Sequence, residues 1–369
     1  MSRGKNKVDR LFLISVIALI VIGFVTFYST SLGLLARSNT QYLSVTFSQA
    51  VLGFCLGSLA MYLVSRLNYK VWRKWALPLL IFAIILNILV LIPEIGLKHN
   101  GARRWLIIGN FSLQPSEILK LAFVVYFSAW VARTKGRVED FREGLIPLLV
   151  LLSICGGLLL KQPDTDTFLM LVLAGLAIFF VAGGKWKHLF FLFLIGIVTF
   201  AVLTVTRPYL MKRVTTYFNP SAESAGASYQ VQQSLIAIGS GGLFGRGFGQ
   251  SLQKFKFLPE PVGDSIFAVQ AEEFGFFGST IFILCFLFFS IRGLKISSAT
   301  DELFGRLLVL GLVIMITAQA FLNIGSMLGI LPLSGITLPF VSQGGTSLFF
   351  TLLEMGIILS VSRSISKSG

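Results

Sequence analysis

Asp264 closes a polar loop, about residues 207 to 264, that interrupts a series of apolar segments. A carboxylate at such a point can take a proton from a hydroxyl, and a positioned general base accelerates transfer by roughly 10²–10⁴-fold. The same residue precedes SIFAVQAEE, where an aspartate is a strong helix N-cap. The two roles are compatible, and spacing alone does not choose between them. A loop this long in a compact chain is uncommon unless it serves a function.

Other ionisable groups share the surroundings. Glu117 and Lys120 follow Pro115 and, three residues apart, fall on one helical face. A charge inside a membrane span costs roughly 2.5–3.5 kcal/mol and usually faces protein or a wet cavity. The pair is therefore either a self-satisfied ion pair or a substrate contact. Lys161, Gln162, Asp164 and Asp166 cluster at the outer end of another apolar segment, the fifth. Residues 330–347, ILPLSGITLPFVSQGGTS, hold Ser342, Gly344 and Gly345 in broken backbone, which is tolerated near a membrane only where protein or water satisfies it. Arg103, Arg104, Lys120, Lys161, Arg213, Arg246, Lys254 and Lys256 supply cations for an anionic head, Arg as a fork and Lys as a point charge. Glu272 and Glu273 lie two turns deeper than Asp264, lining a cavity or bonding to neighbouring helices, and Glu354 also falls within a span. The string GSGGLFGRGFG follows no βαβ strand and lacks a Walker Lys-Ser/Thr pair, which excludes a nucleotide loop. Its glycines suit close backbone approach to a phosphate-bearing head. The set fits a substrate with a lipid tail, an anionic head and a pyrophosphate leaving group.

The elements that must position these groups are membrane helices. The 369 residues are 55% hydrophobic and 13% charged, against about 25% charged in a soluble domain. A span needs roughly 20 apolar residues. Ten segments qualify, near 11–31, 42–64, 75–93, 115–132, 144–160, 167–183, 188–206, 265–291, 307–329 and 346–362. The expected fold is an all-α polytopic membrane protein, one integral domain over 1–369, with its large loop between helices 7 and 8. The first span lacks a small-residue cleavage site and reads as a retained anchor.

Basic residues orient the chain. Arg3, Lys5, Lys7 and Arg10 share one side with Arg66, Lys70, Arg73, Lys74, Arg133, Lys135, Arg137, Arg142, Lys185, Lys187, Arg292, Lys295, Arg306, Arg363 and Lys367. This places both termini in the cytoplasm and the long loop outside. The net charge of +15 is thus dispersed over short loops, which argues against nucleic-acid binding. Cys55, Cys155 and Cys285 all fall within spans, as buried thiols and not disulfides. His99 and His188 fall on opposite sides and cannot share a metal.

The ordered motifs FYSTS, NGARRWL, QPSEILK, KQPD, YQVQQSLIAIGSGGLFGRGFG, QKFKFLPE, DSIFAV, EEFGFFG and NIGSMLGILPLSGITLPFVSQGGTSL span essentially the whole chain. In them the sequence resembles the SEDS family, whose best-known branches are FtsW and RodA, and the QSLIAIGSGG and QKFKFLPE strings look closer to FtsW. The resemblance implies a ten-span glycosyltransferase of the cytoplasmic membrane that polymerises lipid II at the division septum. The alternatives are a RodA-like role in elongation or a lipid II flippase; a flippase needs a polar path to both faces, whereas here the polar clusters gather on one. Asp264 matches the family's essential loop aspartate. Glu117 and Lys120 match its polar pair, Arg104 and Trp105 its outer-loop motif, with Arg103 beside them, and Gln233 belongs to the YQVQQ string. The resemblance also implies a class B penicillin-binding transpeptidase and division-site proteins as partners. It leaves room for a divalent cation, Mg or Mn, at the pyrophosphate, although no ligand cluster requires one. The sequence departs from the family at Thr165 and Asp166, where Leu-Gly is usual after QPD, at Gln343, where Tyr is usual, and at PEPVGD before Asp264, where PEAHTD is common.

Overall fold

The computed structural model describes residues 8–99, 102–108, 111–134, 137–219 and 226–365. The cations Arg3, Lys5, Lys7, Lys135 and Lys367 lie outside them, as do Asn100 and Gly101 of the NGARRWL motif. In chain order the helices begin with α1 (Arg10–Leu35). A π-helical stretch, Gln49–Leu56, joins α2 (Asn39–Ser48) and α3 (Gly57–Arg66) into one 28-residue rod. Next come α4 (Lys70–Leu89), α5 (Pro115–Arg133), α6 (Ile146–Lys161), α7 (Thr165–Val181) and α8 (Trp186–Thr206). Three shorter helices, α9 (Pro208–Phe218), α10 (Ala227–Ser240) and α11 (Gln253–Lys256), fill the long loop. The long helices α12 (Ile266–Ser298), α13 (Leu303–Met327) and α14 (Gly345–Ser364) complete the bundle.

Among the described residues nine rods are long and apolar enough to cross a membrane, and α7 is a shorter apolar tenth. Each of the ten expected segments coincides with one of them. The protein is a multi-pass membrane protein. Helices α5, α13 and α14 are mostly buried and form the centre of the bundle, whereas α8 is only 6% buried and hangs at its edge. The three cysteines are free thiols, but only Cys155 is buried as expected; Cys285 is half-buried and Cys55 is exposed on the outside of the bundle.

One element was not expected. The connection between α4 and α5 is an antiparallel sheet of β1 (Gly96–His99), β2 (Ala102–Ile108) and β3 (Phe111–Leu113), ordered β1-β2-β3. Leu97 pairs with Trp105, and Leu106 pairs with Leu113. The aromatic and β-branched run WLII suits a strand, a signal that the neighbouring glycines and charges obscure.

The glycine-rich string has a structural use. Helix α12 breaks at Gly275, whose φ of +67° and ψ of −164° no L-residue adopts easily. The break strands backbone groups that a membrane protein must satisfy internally. The N–H groups of Arg246 and Gly247 donate to the carbonyls of Glu272 and Glu273, each at 3.0 Å. In return Phe276 N–H donates to Gly242 (2.9 Å) and Phe277 N–H to Leu243 (3.1 Å). A Cβ at Gly245 would stand 2.1 Å from the Glu273 carbonyl oxygen. The glycines therefore let the loop lie against a broken helix, and these N–H groups are not free to hold a phosphate.

Candidate active site

Asp264 ends the loop at the start of α12 without capping it. The N-cap position is Ser265, and no side-chain capping bond is made. The backbone around Asp264 is held from three directions. Asn323 of α13 donates its amide to the Asp264 carbonyl (2.7 Å), Ser342 Oγ donates to the Gly263 carbonyl (2.7 Å), and Gln343 N–H donates to the Val262 carbonyl (2.7 Å). Ser342 and Gly344 are in turn clamped by Gln49, whose amide donates to the Ser342 carbonyl (3.1 Å) and accepts from Gly344 N–H (2.9 Å). Gly345 packs against the Ser48 carbonyl, 2.6 Å from where a Cβ would sit.

The carboxylate is left for chemistry. Among the described residues its one side-chain partner is the Gln230 amide, at 3.0 Å. Burial pushes the Asp264 carboxyl up to about 7 and the nearby Glu260 carboxylate adds to the rise, while Gln230 and the Arg213 guanidinium hold it back. The residue as a whole is half-buried.

Glu117 and Lys120 form a buried ion pair at 2.9 Å. Lys120 Nζ also donates to Gln319 Oε1 (3.0 Å), and the Gln319 amide donates to the Thr337 carbonyl (2.9 Å). Gln319 and Asn323 are one turn apart on α13, so this single face carries both the Lys120 contact and the grip on Asp264. Glu354 of α14 lies within electrostatic reach of Lys120 and Glu117.

The KQPD loop is held by Arg104. Its guanidinium donates to the carbonyls of Gln162 (3.2 Å) and Pro163 and approaches Asp164 at 3.9 Å. Gln162 donates to the Asn87 carbonyl (3.0 Å), and Asp164 accepts from Thr167 N–H as the cap of α7. Arg104, Gln162 and Asp164 thus brace one another. Asp166 meets Arg213 of α9, whose Nη1 lies 2.9 Å from both carboxylate oxygens.

Lys254 and Arg246 stand elsewhere. Lys254 is fully buried, with Nζ 2.7 Å from Glu273 and 3.1 Å from Ser29 Oγ of α1. Glu272 accepts from Ser251 Oγ (2.5 Å) and lies 3.4 Å from Arg246 Nε. Of the two readings for Glu272 and Glu273, bonding within the fold is the one seen. Arg103 lines a shallow recess with Glu94, Leu97 and Ile107 beside the sheet; Trp105 is half-buried in β2, Lys161 is exposed, and Gln233 is half-buried on α10. Among the described residues no three His, Cys, Asp or Glu side chains gather as a metal site. Sequence reasoning passed over Gln49, Asn87, Gln230, Gln319 and Asn323. The available clue was a buried amide in an apolar helix, which must find partners.

The family of cell cycle proteins comprising FtsW, RodA and SpoVE matches residues 9–367. The chain belongs to this family. It is 38% identical over 364 residues to stage V sporulation protein E of Bacillus subtilis, covering 98% of this chain and 99% of that one. It is 39% identical over 376 residues to the probable peptidoglycan glycosyltransferase FtsW of Thioalkalivibrio sulfidiphilus, covering 100% of this chain and 92% of that protein. Among solved structures, a chain of a peptidoglycan synthase complex that coordinates polymerization and crosslinking superposes with a TM-score of 0.80 at 26% identity, over 98% of this chain and 99% of that one. Thermus thermophilus RodA superposes at 0.69, also with 26% identity, over 98% of each chain. In this SEDS setting the departures Thr165 and Asp166 have a local partner, α9.

Proposed function

We propose that this SEDS protein is a peptidoglycan glycosyltransferase that polymerises lipid II on the outer face of the cytoplasmic membrane, with Asp264 as general base. The observation that carries the reading is the uncapped Asp264 carboxylate on a backbone pinned by Asn323, Ser342 and Gln343. A base whose carboxyl titrates near 7 is matched to work at neutral pH. Asp264 takes the proton of the acceptor sugar's 4-hydroxyl, and the oxygen forms a bond to the donor's anomeric carbon. The bond from that carbon to undecaprenyl pyrophosphate breaks with inversion, and the pyrophosphate carries away the electron pair. Arg213, paired with Asp166 yet within electrostatic reach of Asp264, is the cation nearest that leaving charge, whereas the buried Glu117–Lys120 pair is neutral overall. A divalent cation, Mg or Mn, at the pyrophosphate would be held by substrate oxygens with one or two carboxylates rather than by a dedicated protein cage, since no three described His, Cys, Asp or Glu side chains gather as one.

The relatives named FtsW support a role in septal synthesis, and the similarity to a subunit of a peptidoglycan synthase complex supports a class B penicillin-binding transpeptidase as partner. Lipid II polymerisation by the purified protein with that partner, wild type against Asp264→Asn, tests the assignment. Glycan strands from wild type and none from a folded Asp264→Asn support it. Equal rates remove Asp264 as the base, and no polymer from a folded wild-type complex revives the flippase reading.

A further inference from the structure

Asp264 receives its only side-chain hydrogen bond among the described residues from a neutral amide on a different element. Gln230 sits on α10, where its carbonyl accepts from Ser234 Oγ (2.8 Å), and Ser234 reaches Met327 Sδ (3.4 Å) at the end of α13. Its Nε2 lies 3.0 Å from Asp264 Oδ1 and 2.9 Å from Ser265 Oγ. In its ionised form the carboxylate only accepts, so the amide then turns its NH2 towards Asp264, and both N–H groups are committed.

We infer that Gln230 is the positioning residue of Asp264: its amide aims the carboxylate and favours the ionised form that accepts the substrate proton. The inference rests on the reading of Asp264 as base. Asn323 and Ser342 bind backbone carbonyls, and the Arg213 charge is matched by Asp166. Glu260, in the same loop, opposes ionisation. A cation in place of Gln230 would lock Asp264 as a weak base, and an apolar residue would leave it protonated at neutral pH. A neutral donor holds it between these limits.

The test is the pH profile of lipid II polymerisation by the full chain with its transpeptidase partner, from pH 5.5 to 9. Wild type, Gln230→Met, Gln230→Glu and Asp264→Asn are compared, with thermal unfolding in detergent as a folding check. Gln230→Met keeps the length of the side chain but removes the donor, and moves the acid limb about one pH unit upward. Activity at pH 6.5 then falls roughly tenfold and largely returns by pH 9. Gln230→Glu adds a like charge and moves the limb further. Should Gln230→Met not fold, Gln230→Ala, which also lacks the donor and adds no charge, decides by the same shift. A rate lost equally at every pH, or a limb that stays in place, overturns the inference and leaves Gln230 a packing residue. An active Asp264→Asn, or a wild-type profile without an acid limb, overturns the base itself, so the two failures are distinguishable.

Discussion

Arg213 and Asp166 join three parts of the protein at one point. The Arg213 guanidinium of α9 lies 2.9 Å from both oxygens of Asp166, at the start of α7, and Asp166 also accepts from Gly335 N–H (3.3 Å) in the segment before α14. Tyr209, one turn before Arg213, lies near Thr165, although neither hydroxyl makes a hydrogen bond among the described residues. Both residues that depart from the usual Leu-Gly therefore face α9. An added carboxylate near an anionic substrate is explained by the cation it holds.

Replacing Asp166 by Asn leaves Arg213 uncompensated beside Asp264. Arg213 lowers the Asp264 pKa, so the acid limb of activity moves below its wild-type position, opposite to the Gln230 variants. The pair is mostly shielded from solvent, and its loss costs about 1–2 kcal/mol of stability. A pH–rate profile and a thermal melt check the two effects.

Asp264 also sets a stability profile. Its folded carboxyl titrates near 7, above the ordinary 3.8. Between these values the folded state binds more protons than the unfolded one, so stability falls as pH rises. The cost above pH 7 is on the order of a few kcal/mol. Asp264→Asn removes it. The variant melts higher than wild type at pH 8, and the gap closes towards pH 4. Equal melting temperatures at both pH values would contradict the buried carboxyl. This stability cost is the expected trade at a working site.

Much of this was legible in the chain. Ten apolar segments gave ten helices because the bilayer length leaves little choice. The Asp264 loop, the Glu117–Lys120 pair and Arg104 near KQPD could be read from residue type and spacing. What binds them could not. Asn323, Gln230 and Gln49 act across 59, 34 and 293 residues of sequence, and an amide carries no charge to advertise its partner. Lys254 misled for a related reason. A lysine in a loop normally faces water, and only the folded chain shows Glu273 and Ser29 closing over it.

Lys254 is accordingly expected to matter for stability before activity. Lys254→Met leaves Glu273 buried without its cation and costs about 3–5 kcal/mol. Lys254→Met combined with Glu273→Gln removes both charges and recovers much of that loss. Had Lys254 held the substrate phosphate, the double variant would fold yet stay inactive. Thermal unfolding and lipid II polymerisation of the single and double variants separate these cases.

Gly245 offers the sharpest check on the broken helix. Its φ is +81°, in the left-handed region, and an added Cβ would meet the Glu273 carbonyl oxygen at 2.1 Å. The positive φ alone costs an alanine about 1–2 kcal/mol. The clash adds to this, because the loop cannot retreat without releasing the Arg246 and Gly247 bonds to α12. Those bonds satisfy carbonyls that Gly275 has stranded. Gly245→Ala is therefore expected to lose more stability than the conformational cost, with the melting temperature down by several degrees or more. Gly242, also at positive φ (+55°), meets nothing within 4 Å of an added Cβ. Gly242→Ala then carries the backbone cost without the clash. The difference between the two variants measures the contact between loop and kink. Equal losses would mean that the glycine string is not seated on α12.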